Sequence, residues 1–151
     1  MERKCGLICR LCVHACMGVF MLCQGCDASI LIDPLSNQSS EKEAGPNISV
    51  RGYDIIDEAK KELEAKCPNT VSCADIISLA TRDSVKLAGG PDYAVPTGRR
   101  DGSILTIDSA FGLPSPNLTA DGLIQSFKNK SLTAEEMVIL SGAHTLGRSH
   151  C

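Results

Sequence analysis

The sequence contains no tryptophan and only three phenylalanines and two tyrosines among its 151 residues. Proteins that bind single-stranded nucleic acids stack the bases on aromatic side chains, and this chain has few of them. It also has no block of basic residues, and its formal net charge is −3. An electrostatic footprint for nucleic acid is therefore missing, and we expect no nucleic-acid partner.

Long apolar runs, internal repeats and alternating strand patterns are also missing. The uninterrupted apolar run of residues 15–23 is far shorter than the roughly 20 residues that cross a bilayer. Arg10 and His14 interrupt the apolar start of the chain, which therefore lacks the form of a clean export signal. We expect no membrane partner and a mainly α-helical domain.

Cysteine, by contrast, is abundant. The chain has nine cysteines, which favours an oxidising compartment and disulfide bonds; six of them lie in the first 26 residues, at Cys5, Cys9, Cys12, Cys16, Cys23 and Cys26. Sequons for N-glycosylation at Asn37, Asn47, Asn117 and Asn129 agree with a secreted glycoprotein. A zinc-binding module in residues 5–26 is an alternative, although no second matching ligand pair is present.

Apolar residues at steps of three and four predict four helices. The first follows Arg51 and ends at Cys67-Pro68, with an inward stripe of Ile55, Ile56, Ala59 and Leu63. The second runs from Ser72 to Gly89-Gly90, with Cys73, Ile76, Ile77, Ala80, Ser84 and Leu87 on one face. The third covers about Thr119 to Lys130 and turns Leu123, Ile124 and Phe127 inward. The fourth begins at a capping box of Thr133 and Glu136.

Two short segments carry candidate ligands. The Gly25 carbonyl and the Asp27 and Ser29 side chains bring oxygen atoms close together, as hard cations such as calcium require, although an ordinary Asx turn also explains this pattern. In the fourth helix, Met137, Leu140 and His144 share one face. His144 is thus either presented to a buried group or is a hydrogen-bonded core histidine.

Several motifs in register closely resemble those of plant secretory (class III) haem peroxidases. The blocks, in chain order over residues 24–151, are GCDASILID, SEKEAGPN, VRGYDIIDEAK, CPNTVSCADIISLATRDSV, GGPDYAVPTGRRDG, LPSP and LSGAHTLGR. The resemblance implies the first half of an all-helical peroxidase fold, ending at the helix of the proximal histidine.

The resemblance also implies roles for individual residues. His144 is expected to be the axial ligand of the haem iron. Thr145 is expected to bind a proximal calcium ion. A distal calcium ion is expected to bind Gly25, Asp27 and Ser29, with Glu41 as a water-mediated partner.

Further roles follow from the same resemblance. Asn47 resembles the asparagine whose amide oxygen orients the distal catalytic histidine; it also lies in a sequon, and burial in a working site would conflict with glycosylation. Pro114 resembles the proline at the access channel for reducing substrates. The expected disulfide positions are Cys26, Cys67, Cys73 and Cys151.

The segment before Gly25 departs from the family pattern. Arg10 and His14 match the distal arginine and histidine if a gap is introduced, but Val13 replaces an aromatic residue and Ala15 a calcium-binding aspartate. An ungapped alignment places Val19 and Ala15 at the catalytic positions instead. We therefore divide the chain into an atypical, Cys-rich segment, residues 1–23, and a truncated peroxidase domain, residues 24–151.

The function that this resemblance implies is reduction of hydrogen peroxide coupled to one-electron oxidation of small phenolic donors. The expected cofactors are haem b and calcium. The protein is expected to be a monomer secreted to the cell wall or vacuole. The alternative is a truncated, peroxidase-like fragment without turnover.

Overall fold

The computed structural model describes residues 26–103, 107 and 112–145. Its four α-helices are α1 (Tyr53–Lys66), α2 (Cys73–Leu87), α3 (Ala120–Lys128) and α4 (Ala134–Ser141). Short 3₁₀ turns lie at Ser29–Leu31, Glu41–Glu43, Gly45–Asn47 and Gly142–Thr145. The described residues form no strand, only an isolated bridge between Leu35 and Gln38. The prediction of a mainly helical fold is confirmed.

Local capping residues account for the helix boundaries. The Ser72 and Thr119 side chains accept hydrogen bonds from the Asp75 and Gly122 backbone N–H groups, at the starts of α2 and α3. Thr133 caps α4 in a complete capping box with Glu136. These bonds satisfy backbone donors that have no partner inside the helix. The sequence pattern therefore predicted the starts of these helices correctly.

The core lies where α1 and α2 pack together and cover the segment that precedes them. Its buried residues are Ala28, Ile30, Val50, Ile56, Ala74, Ile76 and Ile77. No helix in the described part of the chain is both long and apolar enough to cross a membrane. The core thus fixes residues 28–30, in one of the candidate sites, directly against the helix pair.

Two residues that the periodic pattern turned inward lie outward instead. Leu87 is 69% exposed and Ile124 is 38% exposed. Leu87 is the last residue of α2, whose buried residues end at Ser84, and Phe127 is the only buried residue of α3. The prediction was wrong for both side chains because spacing identifies a helical face but not how far its neighbours extend along it.

Candidate functional site

The first candidate site is a tight turn around Asp27 and Ser29. Ala28 between them has a left-handed backbone conformation with φ of 59°, which brings the two side chains together. Asp27 Oδ1 accepts hydrogen bonds from the Ser29 backbone N–H at 3.2 Å and from Ser29 Oγ at 2.9 Å. The turn that the sequence suggested is therefore present, and it gathers oxygen atoms.

A second carboxylate reaches the same hydroxyl from another part of the chain. Ser29 Oγ lies 3.0 Å from Glu41 Oε2, and Glu41 is only 7% exposed. A hydroxyl has one proton, so it cannot donate fully to both Asp27 and Glu41. One of these two oxygen–oxygen contacts therefore brings lone pairs together, an arrangement that a bound cation stabilises.

The described residues contain part of the calcium ligand set that the resemblance implies. They bring together Asp27, Ser29 and Glu41, whereas Gly25 lies outside them. Among the described residues, no three His, Cys, Asp or Glu side chains form a metal-binding group. A calcium ion here would thus need the serine hydroxyl and backbone oxygens in addition to the two carboxylates.

Asn47 occupies a buried position next to this cluster. It is 1% exposed, and its Nδ2 donates to the Glu41 backbone oxygen at 2.8 Å. Ser40 caps the Glu41–Glu43 turn, where its side chain accepts from the Lys42 N–H and its N–H donates to Glu43. Glu41 therefore contributes its side chain to the candidate cation site, and its backbone oxygen holds the Asn47 side chain in place.

The Asn47 amide oxygen has no hydrogen-bond partner among the described residues. A buried acceptor without a partner costs about 1–3 kcal/mol, and such groups are uncommon in folded proteins. Because Nδ2 is already committed to Glu41, the amide cannot be flipped to satisfy Oδ1 without losing that bond. The fold thus presents one fixed acceptor for a donor outside the described residues.

The segment that follows α2 ties this helix to the Asp27 turn. Asp101 accepts hydrogen bonds from the Cys73 and Ala74 N–H groups at the start of α2, at 3.0 and 2.9 Å. The next residue, Gly102, donates its N–H to the Asp27 backbone oxygen at 2.6 Å. Residues 101 and 102 therefore link the helix to the candidate calcium loop.

Asp75 anchors the start of the same segment. It accepts from the Gly98 N–H at 2.7 Å, the Arg99 N–H at 3.3 Å and Arg99 Nη1 at 3.1 Å. Burial acts to raise the pKa of Asp75, but these hydrogen bonds and the Arg99 charge outweigh it and lower the pKa below its usual value. Sequence reasoning gave no role to Asp75; an acidic residue in the first turn of α2 was the available signal.

His144 lies in the 3₁₀ turn that continues α4, directly after the buried Ala143. His144 itself is exposed, whereas Met137 and Leu140 on the same face are half-buried. The imidazole is therefore accessible at the end of the helix, and its role as an axial ligand stays a prediction. This position does not agree with a core histidine.

The other predicted site residues are placed as follows. Pro114 is half-buried, and the thiols of Cys67 and Cys73 form no disulfide bond with any described residue. Burial and the nearby Asp101 charge raise the pKa of the Cys73 thiol, which disfavours its reactive thiolate. His14, Arg10, Gly25, Cys151 and the Thr145 side chain lie outside the described part, as does the boundary at residue 23.

Comparison with known proteins adds independent findings. A family model described as Peroxidase matches residues 2–151. The chain is 56% identical to Peroxidase 28 of Arabidopsis thaliana over 129 residues, which is 85% of the chain and 40% of that relative. It is 54% identical to Peroxidase 5 of Vitis vinifera over 130 residues, 85% of the chain and 40% of the relative.

A longer match is with Peroxidase 39 of Arabidopsis thaliana, at 52% identity over 148 residues, covering 97% of the chain and 44% of the relative. The chain thus spans about two fifths of the length of the curated relatives it matches.

Proposed function

Because this chain belongs to the peroxidase family, we propose that it is part of a haem peroxidase that reduces hydrogen peroxide and oxidises small phenolic donors by one electron at a time. The observation that carries the proposal is the buried Asn47, whose amide nitrogen is fixed by Glu41 while its oxygen has no partner among the described residues. A distal histidine with its N–H directed at this oxygen would satisfy it.

In this proposal Asn47 acts through another residue. A hydrogen bond from the Nδ1–H of a histidine to Asn47 Oδ1 would fix the histidine tautomer and leave Nε2 as a base. His14 is the candidate for this histidine. It would take a proton from hydrogen peroxide and return it to the leaving oxygen, which departs as water, while Arg10 stabilises the developing charge.

His144 is the candidate ligand for the haem iron. An exposed imidazole at the end of a helix suits the chemistry of an axial haem ligand, and the buried Ala143 beside it anchors the turn. When bound, haem supplies the redox chemistry, and the protein positions and tunes it. Pro114 is proposed to contact the phenolic donor.

Calcium is proposed to support this site structurally. Asp27, Ser29 and Glu41 offer carboxylate and hydroxyl oxygens, and the Glu41 backbone holds Asn47. A cation that fixes Glu41 therefore also fixes the acceptor to which the catalytic histidine would bind.

We further propose that Thr145 binds a second calcium ion, that Cys26, Cys67, Cys73 and Cys151 form disulfides in the mature protein, and that the protein is a secreted monomer.

The proposal is tested by titrating the purified chain with haemin and recording the absorbance spectrum. His144→Ala should abolish the histidine-ligated spectrum, and added imidazole should restore it. His150→Ala is the matched control and should bind haemin like the wild type. Equal haemin uptake by the His144 and wild-type chains would remove His144 from its assigned role.

Turnover is measured as guaiacol oxidation per bound haem. Asn47→Ala should lower this rate about 10–100-fold, as is typical for the loss of a residue that orients a metal or catalytic ligand, with little change in haem affinity. If the wild-type chain binds haem at His144 but oxidises guaiacol no faster than free haemin, the chain is a non-catalytic fragment.

A further inference from the structure

The four sequons lie in different structural surroundings. An N-linked glycan is bulky and hydrophilic, so a folded protein carries it only on an asparagine that faces solvent. Asn37, Asn117 and Asn129 are exposed, whereas Asn47 is buried. The fold therefore buries the asparagine of one sequon and leaves the asparagines of the other three accessible to a glycan.

At Asn47 the atom that would carry the sugar is already in use. Its Nδ2 donates to the Glu41 backbone oxygen at 2.8 Å inside the fold, and the residue is 1% exposed. A sugar on this nitrogen would remove a donor hydrogen and would have to fit where the 3₁₀ turns pack. A glycan at Asn47 is thus incompatible with the native structure.

Asn37 lies at the tip of a tight surface turn. Leu35 and Gln38 close this turn with two backbone hydrogen bonds, each of 3.1 Å. Asn37 and the sequon serine, Ser39, are both exposed. A glycan would extend from this tip without displacing packed side chains.

Asn117 lies in an exposed turn directly before α3. Its backbone N–H donates to Ser115 Oγ at 3.3 Å, and the sequon threonine, Thr119, caps the helix. Asn129 differs because it is the C-cap residue directly after α3 and its Oδ1 accepts from Gln125 Nε2 at 2.8 Å, so its amide is already hydrogen-bonded on the helix surface. Asn37 and Asn117 are the sequons in surface turns, where glycans are normally found.

We propose that Asn37 and Asn117 are N-glycosylation sites and that Asn47 remains unmodified in the folded protein. The inference rests on the secretory route included in the proposed function. The donor would be an oligosaccharide linked through a diphosphate to a polyprenyl lipid. The asparagine amide nitrogen bonds to the anomeric carbon, the bond from that carbon to the diphosphate oxygen breaks, and the amide proton and the lipid diphosphate are released.

The sites are mapped on the full chain, expressed behind a cleavable export signal in eukaryotic cells. The folded, secreted protein is treated with peptide N-glycosidase in heavy-oxygen water, which marks each formerly glycosylated asparagine as a labelled aspartate. Peptide mass spectrometry should find the label at Asn37 and Asn117 and none at Asn47.

Matched variants identify the origin of each glycan. Asn37→Gln and Ser39→Ala should remove the same glycan-sized step from the gel mobility of the protein, and Asn117→Gln should remove another. Ser49→Ala destroys the Asn47 sequon at an exposed residue and should leave the mobility unchanged. A label at Asn47 in the folded fraction, or no label at Asn37 or Asn117, would overturn the proposal.

The haemin titration on protein produced in bacteria, which requires no glycan, tests the proposed function separately. A glycosylated protein that fails to bind haemin would leave the glycosylation sites intact and refute the peroxidase proposal. A protein that binds haemin but carries no glycan would refute the glycosylation sites and leave the peroxidase proposal intact.

Discussion

Replacing Asp75 by asparagine tests whether the segment after α2 is held by a buried charge. The carboxylate is 8% exposed and the paired Arg99 side chain is 28% exposed. Three donors converge on it, the N–H groups of Gly98 and Arg99 and Arg99 Nη1, at 2.7–3.3 Å. Asparagine keeps the shape of the side chain but removes the charge and directs an NH₂ group at one of these donors.

The size of the effect follows from these contacts. Hydrogen bonds to charged groups contribute about 1.5–3 kcal/mol and neutral ones about 0.5–1.5 kcal/mol, and a buried donor left without an acceptor adds a further cost. We expect Asp75→Asn to lower the free energy of unfolding by about 2–4 kcal/mol. For a chain of this length, such a change lowers Tm by roughly 4–16 °C.

The assay is urea unfolding followed by circular dichroism, with Asp83→Asn as the matched control. Asp83 lies on the same helix, is 57% exposed and pairs with the neighbouring Arg82. Exposed ion pairs contribute little to the stability of a folded protein, so the control should change the free energy of unfolding by less than about 1 kcal/mol.

The pH dependence provides a second check. The pKa of Asp75 is lowered in the folded state, whereas the unfolded value is about 3.9. A lowered folded pKa stabilises the protein at pH values above the unfolded pKa, and this stabilisation is lost as the pH falls through the folded value. The difference between wild type and Asp75→Asn should therefore be constant near neutral pH and shrink below about pH 4.

An Asp75→Asn protein no less stable than Asp83→Asn, or a difference that stays unchanged in acid, would refute this account.

Two further variants test other parts of the structure. Asp27→Ala should lower calcium affinity by about tenfold or more, because it removes a charged oxygen ligand. Calorimetry checks this against Asp33→Ala, which removes an exposed carboxylate of the same loop, and equal calcium affinities of the two variants would contradict the assignment. Thr133→Ala should destabilise α4 by about 1 kcal/mol by removing its N-cap. Hydrogen exchange of the α4 amides measures this, with Glu135→Gln as a control in the same turn, and an unchanged exchange rate in Thr133→Ala would show that the cap does not stabilise the helix.

The local sequence alone determined where the helices lie. A helix start depends on a capping side chain three residues from the donor that it satisfies, as for Thr133 and Glu136. A helix end depends on residues that cannot continue it, such as Cys67-Pro68 after α1. These interactions lie within a few residues of one another, so the pattern of residue types is sufficient to predict them. The motifs that identify the family are equally local.

The contacts that assemble the candidate site could not be obtained in this way. Ser29 meets Glu41 across 12 positions, and Asp75 meets Gly98 across 23. Whether Leu87 or Ile124 is buried likewise depends on which element of the fold lies opposite that side chain. The spacing of apolar residues along a helix does not contain this information.

Asn47 shows the difference most clearly. Its motif suggested a role for the amide oxygen, and its sequon suggested a glycan, and sequence alone did not decide between them. Its burial and the bond from Nδ2 to Glu41 leave no room for a glycan in the folded protein, and its oxygen has no partner among the described residues. Only the tertiary structure decided this, because the cost of a buried polar group depends on the atoms packed around it.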